Sequence, residues 1–217
     1  MAEIAARQQG MITWAQLRST GASRHSIAEH IGQGWLVPRY RSVYQFGAFA
    51  GPFGEEMAAL LACGPRAVIS HRSSAVVFVL CDRGRLVDVS VADGIPRRRS
   101  GIRPHRATAL PPGDVVLRHG LRVTTPARTL LDLAASTSRA QLERLTEEAQ
   151  VQNVVSTAEL LAIVERGAGR PGVRKLRAIV DLLDEPLLTR SEAERRLVEL
   201  CRSAALPMPR MNVKRAG

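Results

Sequence analysis

Apolar positions in the first fifty residues recur at helical spacing in short runs interrupted by glycine. Glu3 to Gln9 is compatible with a short helix that stops at Gly10. The next run carries fuller start signals. Thr13 stands as N-cap with Gln16 three residues on, the spacing of a capping box, and Ile12 and Leu17 hold the hydrophobic-staple positions. A second helix is therefore predicted from Trp14 to Ser19. Gly21 supplies the left-handed turn that ends it, and Ser23 caps a third helix running to about Gln33. On that helix Ile27 and Ile31 share a face, continued by Ala28 and anchored beyond the helix by Trp35, while His25, Ser26, Glu29 and Gln33 point the other way. Helix, tight glycine turn, helix is the helix-turn-helix pattern. Past Gly34, apolar or aromatic positions at Trp35, Val37, Val43 and Phe46 flank a polar turn from Pro38 to Ser42, which predicts a two-stranded wing with Arg39 and Arg41 near its tip. Pro38 is tolerated because a two-stranded ribbon has edges. Trp14, Trp35 and Tyr44 are assigned to the core rather than to stacking on bases.

Gly51, Pro52 and Gly54 mark a boundary, after which Glu55 to Cys63 reads as a short apolar helix. Val68 to Ile69, Leu86 to Val91, Ile102 to Arg106 and Val115 to Val123 alternate with turn signals such as Asp93-Gly94 and Pro111-Pro112-Gly113, predicting a small antiparallel sheet. Thr125 caps an apolar helix with Pro126 at its first position, and further helices are predicted over Arg139 to Val151, Ser156 to Arg166 and Val173 to Leu183. The fold class is α+β: an N-terminal winged helix-turn-helix over 1–50, then a mixed α+β region over 51–186 with a helical second half. The remaining segment, 187–217, opens another helix at Leu188 to Glu192, where Thr189/Glu192 and Ser191/Glu194 both have capping-box spacing.

Charge sharpens this picture. The formal net charge is +11, and Lys175 and Lys214 are the only lysines, so arginine carries nearly all of it. Arginine's planar fork suits phosphates and guanine edges, which points to a polyanionic partner, although a GC-rich coding sequence would also raise arginine content. Double-stranded DNA is the partner expected, with Ser23, Arg24, His25 and Ser26 presented to base edges by the first turn of the third helix. Arg18, Arg39 and Arg41 would position the backbone. Arg97, Arg98 and Arg99, with Arg103, His105 and Arg106 close behind, either extend the phosphate footprint or form a solvated loop. Glu29 on the outward face would repel phosphate, and with only 4% aromatic residues a stacking surface for single strands is not expected.

Other chemistries find little support. Ser70, His71 and Asp88 bring triad residue types together, but no G-x-S-x-G elbow accompanies them. No phosphate-binding loop, HExxH or dinucleotide fingerprint is present, so no catalytic residue, metal ligand or cofactor is assigned. Cys63, Cys81 and Cys201 are too widely spaced for a zinc site or a disulfide framework and read as small core residues. The N-terminus lacks a signal-peptide pattern and no apolar run is long enough to cross a bilayer, so a cytoplasmic location and no membrane partner are expected. No sustained heptad seam specifies an oligomeric state.

The spacing G-x-x-x-x-x-x-L from Gly10 to Leu17, the run G-W-L-V-x-x-x-R-x-V-Y from Gly34 to Tyr44, and T-P-A-R-T-L-L-D-L-A from Thr125 to Ala134 resemble the AbiEi-like antitoxins of type IV toxin–antitoxin systems. The resemblance covers most of the chain. It implies a repressor of its own operon that also antagonises a nucleotidyltransferase toxin, making a cognate toxin a second expected partner. S-E-A-E-R-R-L from Ser191 and L-P-x-P-x-x-N-V from Leu206 resemble the opening of very-short-patch-repair-like, PD-(D/E)xK endonuclease domains, in which Glu194 would match a helix glutamate near the metal. The strands that would carry the Asp and the Glu-x-Lys do not follow, and one glutamate cannot hold a catalytic metal and position water by itself, so nuclease activity is not expected. Two other readings stand beside the regulator: a degenerate nuclease-family protein, and a protein-interaction module whose arginines meet an acidic partner.

Overall fold

A computed structural model describes residues 1–92, 99–107 and 110–184, together with 197, 200, 201, 203 and 204. The chain begins with α1 (Ala2–Arg7), β1 (Met11–Thr13), α2 (Trp14–Ser19), α3 (Arg24–Gly32), β2 (Leu36–Tyr40) and β3 (Val43–Phe46). The helix starts follow from their caps. Thr13 Oγ1 accepts from the Gln16 amide at 3.2 Å while Gln16 Oε1 accepts from the Thr13 amide at 2.9 Å, and Ser23 Oγ accepts from the Ser26 amide at 3.0 Å. Gly21, at φ 88°, makes the reversal between α2 and α3. Ile12, Leu17, Ile27 and Leu36 are buried together with Ala5 and Ala22, and Ile4, Trp14, Ile31, Tyr44 and Phe46 pack against them. Each fully buried aliphatic side chain contributes about 1.5–3 kcal/mol, so this small module has a core of its own.

The wing differs from the expected two-stranded ribbon. Met11 to Thr13 pairs antiparallel with β3, giving a three-stranded sheet in the order β1-β3-β2. Pro38 sits on the edge strand β2, beside an irregularity in the pairing between Pro38 and Tyr40. Trp35 is 58% exposed and is not a core residue, because the period-two alternation that begins at β2 turns Leu36 inward. Ala28 is exposed too: it lies about 100° round the helix from Ile27, outside the stripe that Ile27 and Ile31 form.

The middle region comprises α4 (Gly54–Cys63), β4 (Ala67–Ile69), α5 (His71–Val77), β5 (Val87–Ala92), β6 (Ile102–Ala107), a 3-10 turn (Pro112–Asp114), β7 (Val115–Arg118), β8 (Leu121–Thr124), α6 (Pro126–Ala134), α7 (Arg139–Val151), α8 (Thr157–Arg166) and α9 (Val173–Asp184). Its five-stranded sheet runs β6-β5-β4-β8-β7 and is mixed, not antiparallel: β4–β8 and β5–β6 are parallel pairs. The stretch read as one strand from Val115 to Val123 is a hairpin that reverses at His119-Gly120, both at positive φ, the backbone a tight hairpin turn requires. Helix α5 was not expected.

Helix α4 packs against both sheets, so residues 1–180 form one compact unit. Helix α6, capped by Thr125, packs on α5, α7 and α8 with Leu130, Leu131, Leu133 and Ala134 buried. Lys175 Nζ donates to the Ala134 and Thr137 carbonyls at 2.9 and 2.6 Å, tying α9 to the carbonyl end of α6 where a cation is favoured. The cysteines are unpaired and half-buried rather than fully buried core residues. Among the described residues no helix is long and apolar enough to cross a membrane.

Candidate nucleic-acid interface

Helix α3 presents its first turn outward. Arg24 and His25 are exposed and Ser26 is half-buried, while Ile27 anchors the helix in the core. Ser23 is also exposed; its hydroxyl oxygen accepts from the Ser26 amide as the cap, so it holds the helix start in place and keeps its proton and a second lone pair for a ligand. His25 Nε2 lies 3.5 Å from Glu29 Oε1 one turn on. That contact places the outward carboxylate against the imidazole. Arg24 makes no hydrogen bond or ion pair with any described residue, and neither does Arg41 in the exposed turn of the wing.

The other two backbone-positioning candidates are engaged. Arg18 Nη1 donates to the Ala22 carbonyl at 2.7 Å and clasps the turn between α2 and α3, so part of its fork is structural. Arg39 Nη2 lies 3.9 Å from Glu55 on α4. Glu55 in turn lies 3.9 Å from Arg83, whose guanidinium reaches the fully buried Glu56 carboxylate at 3.0 Å. Burial pushes the Glu56 carboxyl up from its ordinary range, against the pull of Arg83. The wing is thus linked through charge to the first helix of the middle region.

The beginning of β6 approaches the wing: a Cβ at Gly101 would meet the Tyr40 hydroxyl at 3.1 Å. Burial raises the Tyr40 hydroxyl pKa, with Arg39 opposing. A cavity of about 340 Å³ opens here, lined by Arg39, Tyr40, Glu55, Arg85 and Gly101 among others. Arg99, half-buried, bridges to Ile102 beside this cavity's Gly101. Arg97 and Arg98 lie outside the described residues. Arg85, near the wing through this cavity, is a basic residue that no local pattern associates with it, since Arg85 lies 45 positions after Tyr40 and only the fold brings them together.

The triad residue types do not assemble into a triad. Ser70 Oγ lies 3.0 Å from His71 Nδ1, but Asp88 Oδ1 meets His105 Nε2 at 2.8 Å, and Ser70 is fully buried. The His71 and His105 rings stack at 3.6 Å, and burial together with the neighbouring imidazole lowers the His71 pKa to about 4.

The T-P-A-R-T motif has a role that its apolar pattern hid. Arg128 Nη1 meets Asp114 Oδ2 at 2.7 Å and its Nε meets Asp132 Oδ1 at 2.9 Å, all three side chains being 5% exposed or less. Arg166 adds a contact to Asp114 at 3.0 Å and Arg170 one to Asp132 at 3.5 Å. The available signal was the Arg128/Asp132 spacing of four inside an otherwise apolar helix. A charge pair on the buried face of a helix requires further partners to balance its desolvation.

Comparison with known proteins follows the same division. The transcriptional-regulator model of the AbiEi antitoxins matches residues 1–47, and the AbiEi antitoxin C-terminal domain matches residues 69–185, more than half of the chain. No curated protein matches the sequence. Among solved structures, the RV2827C protein from Mycobacterium tuberculosis is similar over 86% of this chain and 81% of that one, at 16% identity and a TM-score of 0.41. With a winged helix-turn-helix at its N-terminus and both family domains matched in order, the chain belongs to the AbiEi antitoxin family of DNA-binding transcriptional regulators.

Proposed function

We propose that the chain represses its own operon by setting the first turn of α3 in the major groove and the β2–β3 wing on the adjacent backbone. The observation that carries this reading is the pair of exposed guanidinium groups without partners among the described residues, Arg24 on α3 and Arg41 on the wing, held by one small core. A guanidinium that no carboxylate neutralises keeps its full set of donors for phosphate or guanine. Ser23, His25 and Ser26 complete the base-facing turn, and Arg18 and Arg39 add backbone contacts. Arg97, Arg98 and Arg99 extend the phosphate footprint and add salt dependence with little sequence preference.

In the same reading residues 1–50 bind DNA and residues 51–186 engage a cognate toxin protein in the cytoplasm. The segment from 187 onward, outside the described residues for most of its length, resembles the opening of a nuclease-like domain. Fluorescence-polarisation binding to the DNA upstream of the chain's own gene, against a scrambled duplex at low and raised salt, tests the regulator. Preference for the upstream sequence that survives raised salt is the expected result. Equal binding to both duplexes, lost together as salt rises, would leave only non-specific attraction and sink the proposal.

A further inference from the structure

The cavity of about 340 Å³ beside the wing is walled by four separate elements: β2, α4, the residues that lead into β5, and the turn before β6. Small-molecule pockets start at about 300 Å³. Buried Ala58 and Val87, with exposed Pro38, give it an apolar wall. Its other groups are mostly donors, and they are accessible. Arg85 is exposed and makes no hydrogen bond or ion pair with any described residue. The half-buried Tyr40 hydroxyl likewise has no hydrogen-bond partner among the described residues. Burial keeps that hydroxyl protonated, so it has a proton to give. Gly101, at φ 78°, leaves the hydroxyl its space, since a Cβ there would approach it to 3.1 Å.

Arg39 is the third donor. Its acidic neighbour Glu55 stands at 3.9 Å, beyond hydrogen-bond distance, and lies equally far from Arg83. Arg39 can therefore turn to a ligand while Arg83 stays beside Glu55. Glu55 is the one carboxylate among the described lining residues, and it is more than half exposed to water. Arg99 adds to the positive side, its charge acting on both the Tyr40 hydroxyl and the Cys63 thiol. An anion entering the cavity thus meets an excess of guanidinium groups, none of them locked in a buried pair. The donors stand on different walls, which suits an anion whose oxygens point in several directions. A tetrahedral phosphate is such an anion, whereas the two coplanar oxygens of a carboxylate are matched by a single guanidinium fork.

We infer that this cavity binds a small phosphomonoester, its phosphate shared by Arg39, Arg85 and the Tyr40 hydroxyl and its ester group against the apolar wall, and that the bound molecule lowers affinity for DNA. The link is Arg39. A guanidinium turned to the ligand's phosphate is withdrawn from the DNA backbone at the wing. This loss of DNA affinity rests on the DNA-binding reading of Arg39, whereas the binding of the phosphomonoester does not.

Thermal denaturation of the full chain at fixed ionic strength tests the binding, with phenyl phosphate as probe beside inorganic phosphate and phenol. The expected result is a saturable rise in melting temperature with phenyl phosphate, by about 3–6 °C at about ten times its dissociation constant. Inorganic phosphate should bind more weakly and phenol not at all. Arg85→Gln, at an exposed site, keeps the melting temperature of the free chain and weakens phenyl phosphate binding on the order of tenfold, and Tyr40→Phe, which loses only the hydroxyl, weakens it about fivefold. Arg144→Gln on α7 removes the same charge from an exposed residue that does not line the cavity, and should leave the binding as it was. No saturable shift, phenyl phosphate bound no more tightly than inorganic phosphate, or equal weakening in Arg85→Gln and Arg144→Gln would overturn the binding.

Fluorescence-polarisation titration with the upstream duplex tests the link to DNA. Phenyl phosphate at about ten times its dissociation constant should weaken DNA binding about fourfold in the unaltered chain and under about twofold in Arg85→Gln, each measured against its own value without the probe. DNA affinity that ignores the probe in the unaltered chain would overturn the link alone. A chain that takes up phenyl phosphate but binds no duplex would sink the DNA-binding reading and the link with it, and would leave the cavity's ligand standing.

Discussion

Arg24 on the recognition helix and Arg128 on α6 are the same side chain put to opposite uses. Arg24, like Arg41 on the wing, is exposed and unmatched among the described residues. Arg128 is 3% exposed and held between Asp114 and Asp132. The first arrangement leaves the guanidinium hydrated and available, so it adds little to folding and much to recognition of a polyanion. The second takes three charges out of water together, which is tolerable only while all of them are present. High arginine content in this chain is therefore two properties, and only position in the fold separates them.

Removing the buried member has the largest expected effect. Arg128→Met leaves the Asp114 and Asp132 carboxylates buried without their shared partner and should destabilise the chain by about 3–5 kcal/mol, read as a shift in the urea midpoint. A loss under about 1 kcal/mol would show that Arg166 and Arg170 suffice, and that the contrast with Arg24 is overdrawn.

The same buried neighbourhood carries a pH signature. With a folded pKa of about 4 against 6.5 unfolded, His71 binds fewer protons in the native state, so its contribution is present above pH 6.5 and is lost as the pH falls from there toward 4. The decline is on the order of 2–3 kcal/mol. Denaturation series at several pH values should show that slope flattened in His71→Asn, whatever the overall stability of the variant. An unchanged slope would mean that other groups set it.

The two regions were unequally legible in the sequence. Caps, turns and amphipathic stripes are local, and so α2, α3 and α6 could be placed from Thr13/Gln16, Ser23 and Thr125. β1 is three residues long between Gly10 and a cap, too short for periodicity to register, and it exists because β3 is there to pair with it. α5 was hidden by its serine-rich start, its valines and its exit through Val79, a β-branched residue at φ 61°. The parallel pairing of Ile69 with Val123 is a long-range choice that alternation cannot encode, which is why an antiparallel sheet was expected. The site divides the same way. The exposed arginines could be named because an amphipathic helix and a turn announce what faces outward. The Arg128 network escaped because Asp114, Arg166 and Arg170 come from separate elements.

Replacing the exposed pair is the complementary experiment. Arg24→Ala with Arg41→Ala should leave stability within about 0.5 kcal/mol, as expected for surface positions, yet weaken binding to upstream DNA by about 2 kcal/mol or roughly thirtyfold. The slope of log affinity against log salt should fall by up to about 1.8, from about 0.9 for each lost phosphate contact. Should affinity hold while stability drops, these two arginines belong with Arg128.

Arg39 stands between the two classes, a wing arginine with an acidic neighbour, and it gives the smallest effect. Its contact with Glu55 is 3.9 Å long and more than half exposed on the acidic side, a geometry that contributes between about 0 and 1 kcal/mol. A DNA phosphate arriving at the wing competes with Glu55 for the same guanidinium, so Glu55→Gln should tighten DNA binding by about twofold and steepen its salt dependence slightly. The matched control is Glu143→Gln on α7, which removes an equally negative partner from Arg139 without touching the wing. Equal tightening in both variants would report only the change in net charge. Tightening in Glu55→Gln alone would place Arg39 with Arg24 and Arg41, as a contact restrained by the middle region.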